Sequence, residues 1–305
     1  MSKYLLCRPE SGINDMLCQI GLCVRYCLKF DRILVIDTAN TIVFSEPFDR
    51  YFTLHHPRLK YEPDPKAFLE MAAARQLTLF PSTAKLRHGG GWSLSGIQDV
   101  RHWDVLQFDL DKNYEEDVLV HHKSGGGRPL PELLCALRLS ADFAHTVAAR
   151  WHSMRKPYIG VHIRNTDYKS DPAVVAPILA RYRGPVYLAT DSAEAQRQVW
   201  AMGHKEVRTS PIPDFGGAPI HRAQVSREEK SRLNHLALED LIMLALAETV
   251  HASNPRSGFS DLAKNLNRNQ HMVIRWFRWK HVGVGPALKL RLNWLRNSLL
   301  RALRH

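Results

Sequence analysis

Nowhere in this chain do apolar residues run uninterrupted for the roughly 18 positions that a membrane-spanning helix needs. The sequence therefore gives no expectation of a span. The first residues, Met1 to Pro9, form a short strand-like segment with one Lys and lack the long apolar core of a secretory signal. There is no Cys-x-x-Cys pair, and the five cysteines, at 7, 18, 23, 27 and 135, are odd in number. Buried free thiols in a reducing cytosol are the expectation, ahead of disulfides or metal ligation. The histidine pairs 55–56 and 121–122 lack metal spacing with any neighbouring Cys or carboxylate, and solvated loop histidines are expected. A phosphate loop is missing too: Lys123-Ser-Gly-Gly-Gly-Arg-Pro lacks the Gly-Lys-Ser/Thr order and reads as a flexible connection. Internal repeats and low-complexity tracts are absent. What is left, 305 residues with 45% hydrophobic and 24% charged, is ordinary globular composition and enough for two domains.

The net charge of +12 is unevenly placed. From Arg275 onward there are eight Lys or Arg and no acidic residue, so the preceding 274 residues carry only about +4, the difference between +12 and +8. A core this close to neutral, without a recognition motif, argues against nucleic acid. Within the tail, Leu288, Leu292, Leu295, Leu299 and Leu303 repeat every three or four residues among Lys and Arg, with Trp276, Trp279 and Trp294 as aromatics. That pattern over 286–305 fits a helix lying peripherally on an anionic membrane. A helix docked back on the protein with its arginines outward is the alternative.

The chain opens as a βαβ unit: strand Tyr4 to Cys7, a turn at Pro9-Glu10-Ser11-Gly12, a helix from Ile13 to Phe30 and strand Arg32 to Asp37. Strands at Val105–Leu110 and Asp117–Val120, loops at 85–104 and 123–131, and a long helix from Glu132 to Ser153 follow. The second half alternates again: strand 158–163, helix 173–182, strand Val186–Thr190, helix 193–202 and strand 206–208. After a polar loop (209–235) come helix Leu236–Glu248, strand Val250–Ser253 and helix 258–267. The fold class expected is α/β, with two Rossmann-like parallel-sheet domains facing a cleft. The domains would be 1–150 and 151–275, with 276–305 a basic tail.

Residues 158–169, Tyr-Ile-Gly-Val-His-Ile-Arg-Asn-Thr-Asp-Tyr-Lys, carry the strongest chemical signal. An apolar strand there opens into His162, Arg164, Thr166 and Asp167, and the carboxyl end of such a strand is where open α/β sheets bind ligands. A guanidinium suits phosphate oxygens bidentately, although a surface ion pair of Arg164 with Asp167 accounts for the same residues. Three more segments repeat the pattern. Ala189-Thr190-Asp191-Ser192 ends a strand in a carboxylate and a hydroxyl. Asp240 stands near the start of an apolar helix, where the helix dipole alone would suit it. Ser253-Asn-Pro-Arg-Ser257-Gly258-Phe-Ser260 joins a strand to a helix whose first N–H groups suit phosphate, or simply carries a Ser cap. Together the four segments point to a nucleotide-diphosphate pocket.

The Gly-Val-His-Ile-Arg-x-Thr-Asp run resembles the signature of the fucosyltransferase superfamily, which includes the nodulation, α-1,6- and protein O-fucosyltransferases. Arg8-Pro-Glu-Ser-Gly12-Ile-Asn14-Asp15, the strand through Asp37 and Phe44 to Phe52 are similar to that family's opening, and Tyr187 to Asp191 and Asp240 to Ser260 to its later motifs. The resemblance implies a GT-B glycosyltransferase with the acceptor on the N-terminal domain and GDP-fucose on the C-terminal one. It implies inversion at the sugar, with neither a metal nor any other cofactor. Arg164 would hold the β-phosphate, His162 and Asp240 would contact guanine, Asp167 and Asp191 would line the nucleotide pocket, and Ser257 with Gly258 would bind phosphate. Many relatives carry Arg-Arg where this chain has Arg164-Asn165, which leaves another nucleotide sugar as donor, or a non-catalytic binding protein of the same fold, as alternatives. For the general base the family offers two positions. One falls at Pro172, beside Asp171; the other is Glu10. The reading leans to Asp171, whose Ser-Asp-Pro setting is also that of a turn. The acceptor would be a surface polysaccharide or lipid-linked saccharide, and the site of action cytoplasmic, at the inner face of the cell membrane if the tail binds there.

Overall fold

The computed structural model describes the chain except residues 1, 40, 42, 43, 45, 83, 85–107, 166–169, 214–224 and 303–305, and the side chains of 279 and 301. It divides into two compact units, Met1–Ser140 and Ala141–His305.

The first unit starts with β1 (Tyr4–Pro9), α1 (Ile13–Phe30), β2 (Ile33–Ile36), β3 (Phe52–Leu54), β4 (Tyr61–Glu62), α2 (Pro65–Ala74) and β5 (Leu79–Phe80). It ends with β6 (Val118–Lys123), α3 (Pro131–Ala136) and β7 (Leu137–Leu139). Five strands form one sheet in the order β4-β2-β1-β6-β5, every pairing parallel. Central strands of such a sheet are covered on both faces and so carry nearly continuous apolar runs. Leu5, Leu6 and Cys7 of β1 and Leu34 and Val35 of β2 are accordingly sealed from solvent. One face packs Leu6, Val35, Val118 and Val120 on Phe68, Leu69 and Ala72 of α2. Arg8, within β1, and Asp37, just past β2, make an ion pair of 2.6 Å with both side chains buried.

The second unit holds α4 (Ala141–Ser153), β8 (Ile159–Ile163), α5 (Ala176–Arg181), β9 (Val186–Thr190), α6 (Ala193–Ala201) and β10 (Val207–Thr209). After these come α7 (Arg227–Ala245), β11 (Val250–Ala252), α8 (Gly258–Arg268), α9 (Gln270–Trp276), α10 (Trp279–Val282) and α11 (Val284–Ala302). Its sheet, ordered β10-β9-β8-β11, is also wholly parallel. Period-two alternation sorts β8 and β9. Ile159, Val161, Ile163, Val186 and Leu188 pack on Leu179 of α5 and on Ala195 and Val199 of α6. Gly160 lies on the opposite face, where an added Cβ would stand 2.8 Å from Leu244 of α7, so its missing side chain lets that helix lie close.

Several expectations need correction. The helix expected over Glu132–Ser153 is two helices, because Leu137–Leu139 pairs antiparallel with Phe52–Leu54. Helix α7 begins at Arg227, not at Leu236, with Ser226 accepting the Glu229 N–H as its cap. Asp240 therefore lies deep within a helix, far from its positive end. The tripeptide Gly125–Gly127 is pinned: Gln19 donates to the Gly125 carbonyl at 2.6 Å and Asn14 to that of Gly127 at 3.2 Å. Within the turn expected at Pro9–Gly12, Ser11 (φ 84°) adopts the left-handed conformation. His121 and His122 lie on β6 rather than in a loop, and His121 is buried against Gln19 at 2.9 Å. Trp276 is buried in the core, not interfacial. Of the strand expected at Val105–Leu110, 105–107 lie outside the described residues and the rest is irregular. Asp167, Thr166, Leu303 and the loop expected at 85–104 also fall outside them. Cys7, Cys18, Cys23, Cys27 and Cys135 are free thiols, the first four buried.

Candidate functional site

Sheet order fixes where the second unit can hold a ligand. From β8 the chain steps outward through β9 to β10, then returns along α7 to place β11 on the other side of β8. The two connections part between β8 and β11, and the crevice beyond the carboxyl ends at such a point is open for binding. His162 pairs in register with Ala252, and the Ser253 N–H donates to the His162 carbonyl at 3.0 Å.

Arg164 emerges there. Its Nε stands 3.2 Å from Oδ2 of Asp191, one residue past β9, and Oδ1 of the same carboxylate accepts the Asn165 N–H at 2.8 Å. Asp191 thus ties the ends of β8 and β9 and orients the guanidinium, which is about one-quarter exposed. On the β11 side, Ser253 Oγ accepts the Arg164 N–H at 3.3 Å and lies 2.6 Å from Ser170 Oγ. Ser170 also donates to the Arg164 carbonyl. Arg164 is therefore held from the ends of β9 and β11, which is how a charged group is preorganised rather than left mobile.

Five residues past Ser253, α8 begins with Gly258. Ser257 caps it, accepting the Ser260 N–H at 3.3 Å. The N–H groups of the first turn have no acceptor within the helix, so this end carries partial positive charge. His162 touches the same turn, its Nδ1 2.6 Å from Ser260 Oγ and its ring 4.8 Å from that of Phe259. Burial above all, with Arg164 and Lys264 adding to it, drives the His162 pKa down to about 3. The ring is thus a neutral hydrogen-bonding group at physiological pH.

Asp240 lies apart from this cluster. On α7, under the sheet, its Oδ1 accepts from Tyr187 at 2.6 Å and from Ser210. Arg150 donates to Ser210 and to Glu239, each at 2.9 Å. Burial raises the Asp240 pKa to about 6, while the Ser210 and Tyr187 hydroxyls pull it down. Asp171 is an exposed capping residue whose Oδ1 accepts the Ala173 N–H at 2.8 Å, opening a 3-10 turn over Pro172–Val175. In the first unit Glu10 follows β1 at that sheet's own parting point, between β1 and β6. It is buried, its Oε1 3.1 Å from Nε2 of His122 and its N–H bonded to the Lys123 carbonyl. Sequence reasoning overlooked His122 as a partner, since a position three residues before Gly125 hid its place at a strand end. It also passed over Arg256, an exposed guanidinium two residues before α8, whose closeness to Ser257 was the available signal.

Thus Arg164, Asp191, His162, Ser257 and Gly258 gather at one sheet edge; Asp240, Asp171 and Glu10 occupy separate settings. Such an edge can bind a phosphorylated ligand. No family model matches the chain, and no curated protein sequence matches it. Among solved structures, the chain is similar to the fucosyltransferase NodZ from Bradyrhizobium: 20% identity, TM-score 0.59, covering 87% of this chain and 94% of that one. NodZ alpha-1,6-fucosyltransferase co-crystallized with GDP gives 19%, 0.57, 87% and 93%. POFUT1 in complex with GDP-fucose gives 13%, 0.52, 87% and 94%. At these identities what is shared is the path of the chain: two parallel-sheet units in the same order, the GT-B fold of the fucosyltransferases.

Proposed function

We propose that the protein is a glycosyltransferase that moves fucose from GDP-fucose, with inversion, to a hydroxyl of a glycan acceptor. The observation that carries this reading is the guanidinium of Arg164, clamped by Asp191 where β8 and β11 part and next to the start of α8. In the reaction the acceptor oxygen bonds to C1 of the sugar and the bond from C1 to the diphosphate oxygen breaks. The hydroxyl proton passes to a carboxylate, and GDP departs carrying the bonding pair. Charge accumulates on that departing diphosphate, and fixed positive groups there lower the barrier most. Arg164 and the first turn of α8, with Ser257 and Gly258, take this role, so no metal is called for. Asp191 positions Arg164, and Asp167 is assigned to the nucleotide pocket from the sequence resemblance. His162, neutral and fixed by Ser260, is assigned to guanine. Asp240, which the resemblance also assigns to guanine, stands apart from this edge, buried under the sheet and held by Tyr187 and Ser210. Asn165 supplies no second cation; Arg256 does so from the other side. Asp171 or Glu10 is the base; Glu10 is buried with its Oε1 3.1 Å from the His122 imidazole, whereas Asp171 is exposed. The acceptor is a surface-glycan or lipid-linked precursor met in the cytoplasm, where free thiols persist.

Purified protein incubated with GDP-fucose, alone and with glycan acceptors, tests this through released GDP measured chromatographically, with and without a chelator. Slow hydrolysis that an acceptor accelerates and a chelator leaves unchanged is the expected result. Release from a different nucleotide sugar but not from GDP-fucose would transfer the assignment to that donor, and inertness toward all of them would defeat it.

A further inference from the structure

Helix α11 is docked with its polar side inward. Asn297 Nδ2 reaches the Ala247 carbonyl at 3.4 Å and Gln270 Oε1 at 3.3 Å, and Asn293 Nδ2 reaches the Leu246 carbonyl at 3.4 Å. Gln270 and Asn267 bond the carbonyls of Ala245 and Ala247 as well. These carbonyls end α7 and have no partner within that helix, so side-chain amides must satisfy them. Among the described residues of α11, Ala287 and Leu290 are the buried apolar side chains, and Trp294 and Leu300 are half-buried.

Four of its leucines and Val284 point the other way. Val284, Leu288, Leu292, Leu295 and Leu299 are 67, 55, 55, 47 and 66% exposed. At 3.6 residues per turn these five positions fall within an arc of about 80°, opposite the asparagines. A helix on a globular surface normally shows the reverse arrangement, and a continuous exposed apolar stripe marks an interaction site. Arg291 borders the stripe on one side, Lys289 and Arg296 on the other. From Arg275 to the end there is no acidic residue. A second copy of the same stripe would bring cations against cations with no carboxylate to pair them. An anionic lipid surface supplies both the apolar medium and the opposite charge.

We propose that α11 is an in-plane interfacial helix, seating Val284, Leu288, Leu292, Leu295 and Leu299 at the acyl boundary of an anionic bilayer while Lys289 and Arg291 meet its headgroups. The inference stands apart from the donor assignment, and its test contains no nucleotide. The full-length protein is co-sedimented with vesicles of pure phosphatidylcholine and of equimolar phosphatidylcholine and phosphatidylglycerol. Binding is expected to the anionic vesicles, weakened by salt, and reduced roughly tenfold or more by Leu292→Glu with Leu299→Glu. Both substituted side chains are exposed, so the melting temperature should hold. Lys289→Gln with Arg291→Gln, a variant that leaves the stripe intact, should lower anionic binding without creating any for neutral vesicles. Equal binding to the two vesicle types, or binding undiminished in both variants, overturns the proposal. So does a stripe-dependent dimer in sizing experiments that ignores lipid, which would assign the leucines to a second copy.

Discussion

Arg164 and Asp191 face each other across the ends of two adjacent parallel strands, their closest charged atoms 3.2 Å apart. The carboxylate takes Nε, the edge of the guanidinium set back from its tip, and also binds the next backbone N–H of Arg164's own strand. Replacing Arg164 by Ala should slow GDP release by roughly 10²–10³, or about 3–4 kcal/mol, the loss typical of one preorganised donor. Lys should recover only part of it, because a point charge cannot serve Asp191 and a diphosphate in one geometry. Full activity in a folded Arg164→Ala protein would rule out the assigned role.

The two base candidates separate cleanly. Glu10→Gln keeps the shape of the side chain and a hydrogen bond to His122 while removing the proton acceptor. If Glu10 is the base, kcat for transfer falls at least about a hundredfold, as general-base losses usually do, and KM for the nucleotide holds. Asp171→Asn would then change little beyond its cap. The opposite pattern of rates assigns the base to Asp171.

Acid should destabilise the protein through its buried imidazoles. Burial lowers His121 to about 4 and His162 to about 3. The unfolded chain, titrating near 6.5, binds these protons first, so stability present above pH 6.5 is lost as pH falls toward the folded values. Each group contributes about 1.4 kcal/mol per pH unit at most. Asp240 acts in the opposite sense: with its pKa raised to about 6, it favours the fold as pH drops from 6 toward 4 and offsets part of the loss. Urea melts at a series of pH values should therefore show a shallower acid slope for His162→Gln and a steeper one for Asp240→Asn. Parallel curves for all three proteins would contradict these assignments.

Arg8 and Asp37 allow a test of the first unit by itself. Their side chains are at most 1% exposed, and burial lowers the Arg8 pKa to about 10 even with Asp37 beside it. Arg8→Met alone should cost about 3–5 kcal/mol, because it strands a buried carboxylate. Arg8→Met with Asp37→Leu should recover most of that loss in denaturant melts. A double variant as unstable as the single one would mean that other partners, not the pair, set the cost.

Residues with strong local period announced themselves. Helix α1 starts and stops at Ile13 and Phe30 as its pattern predicts, and Val186–Thr190 is a strand as read, because apolar spacing over a full element leaves little choice. Arg164 was legible for a related reason, a strand run ending abruptly in charge. The start of α7 was missed because its first two turns are polar and bury little, although Ser226 followed three residues later by Glu229 is a capping box. Leu137–Leu139 could not be seen as a strand without its partner, Phe52–Leu54, more than eighty residues earlier. The network around Asp240 was hidden for the same reason: Arg150, Tyr187 and Ser210 reach it from separate elements.

The amides that close the end of α7 also decide which way a bound bilayer would lie. Directly after that helix, the Glu248 N–H bonds to the carbonyl of Tyr158, at the entrance of β8, whereas Arg164 leaves from the exit. Five strand residues, about 16 Å, intervene. If both proposals hold, lipid and sugar nucleotide would address opposite poles of one sheet, and a bound bilayer would leave the exit of β8 uncovered.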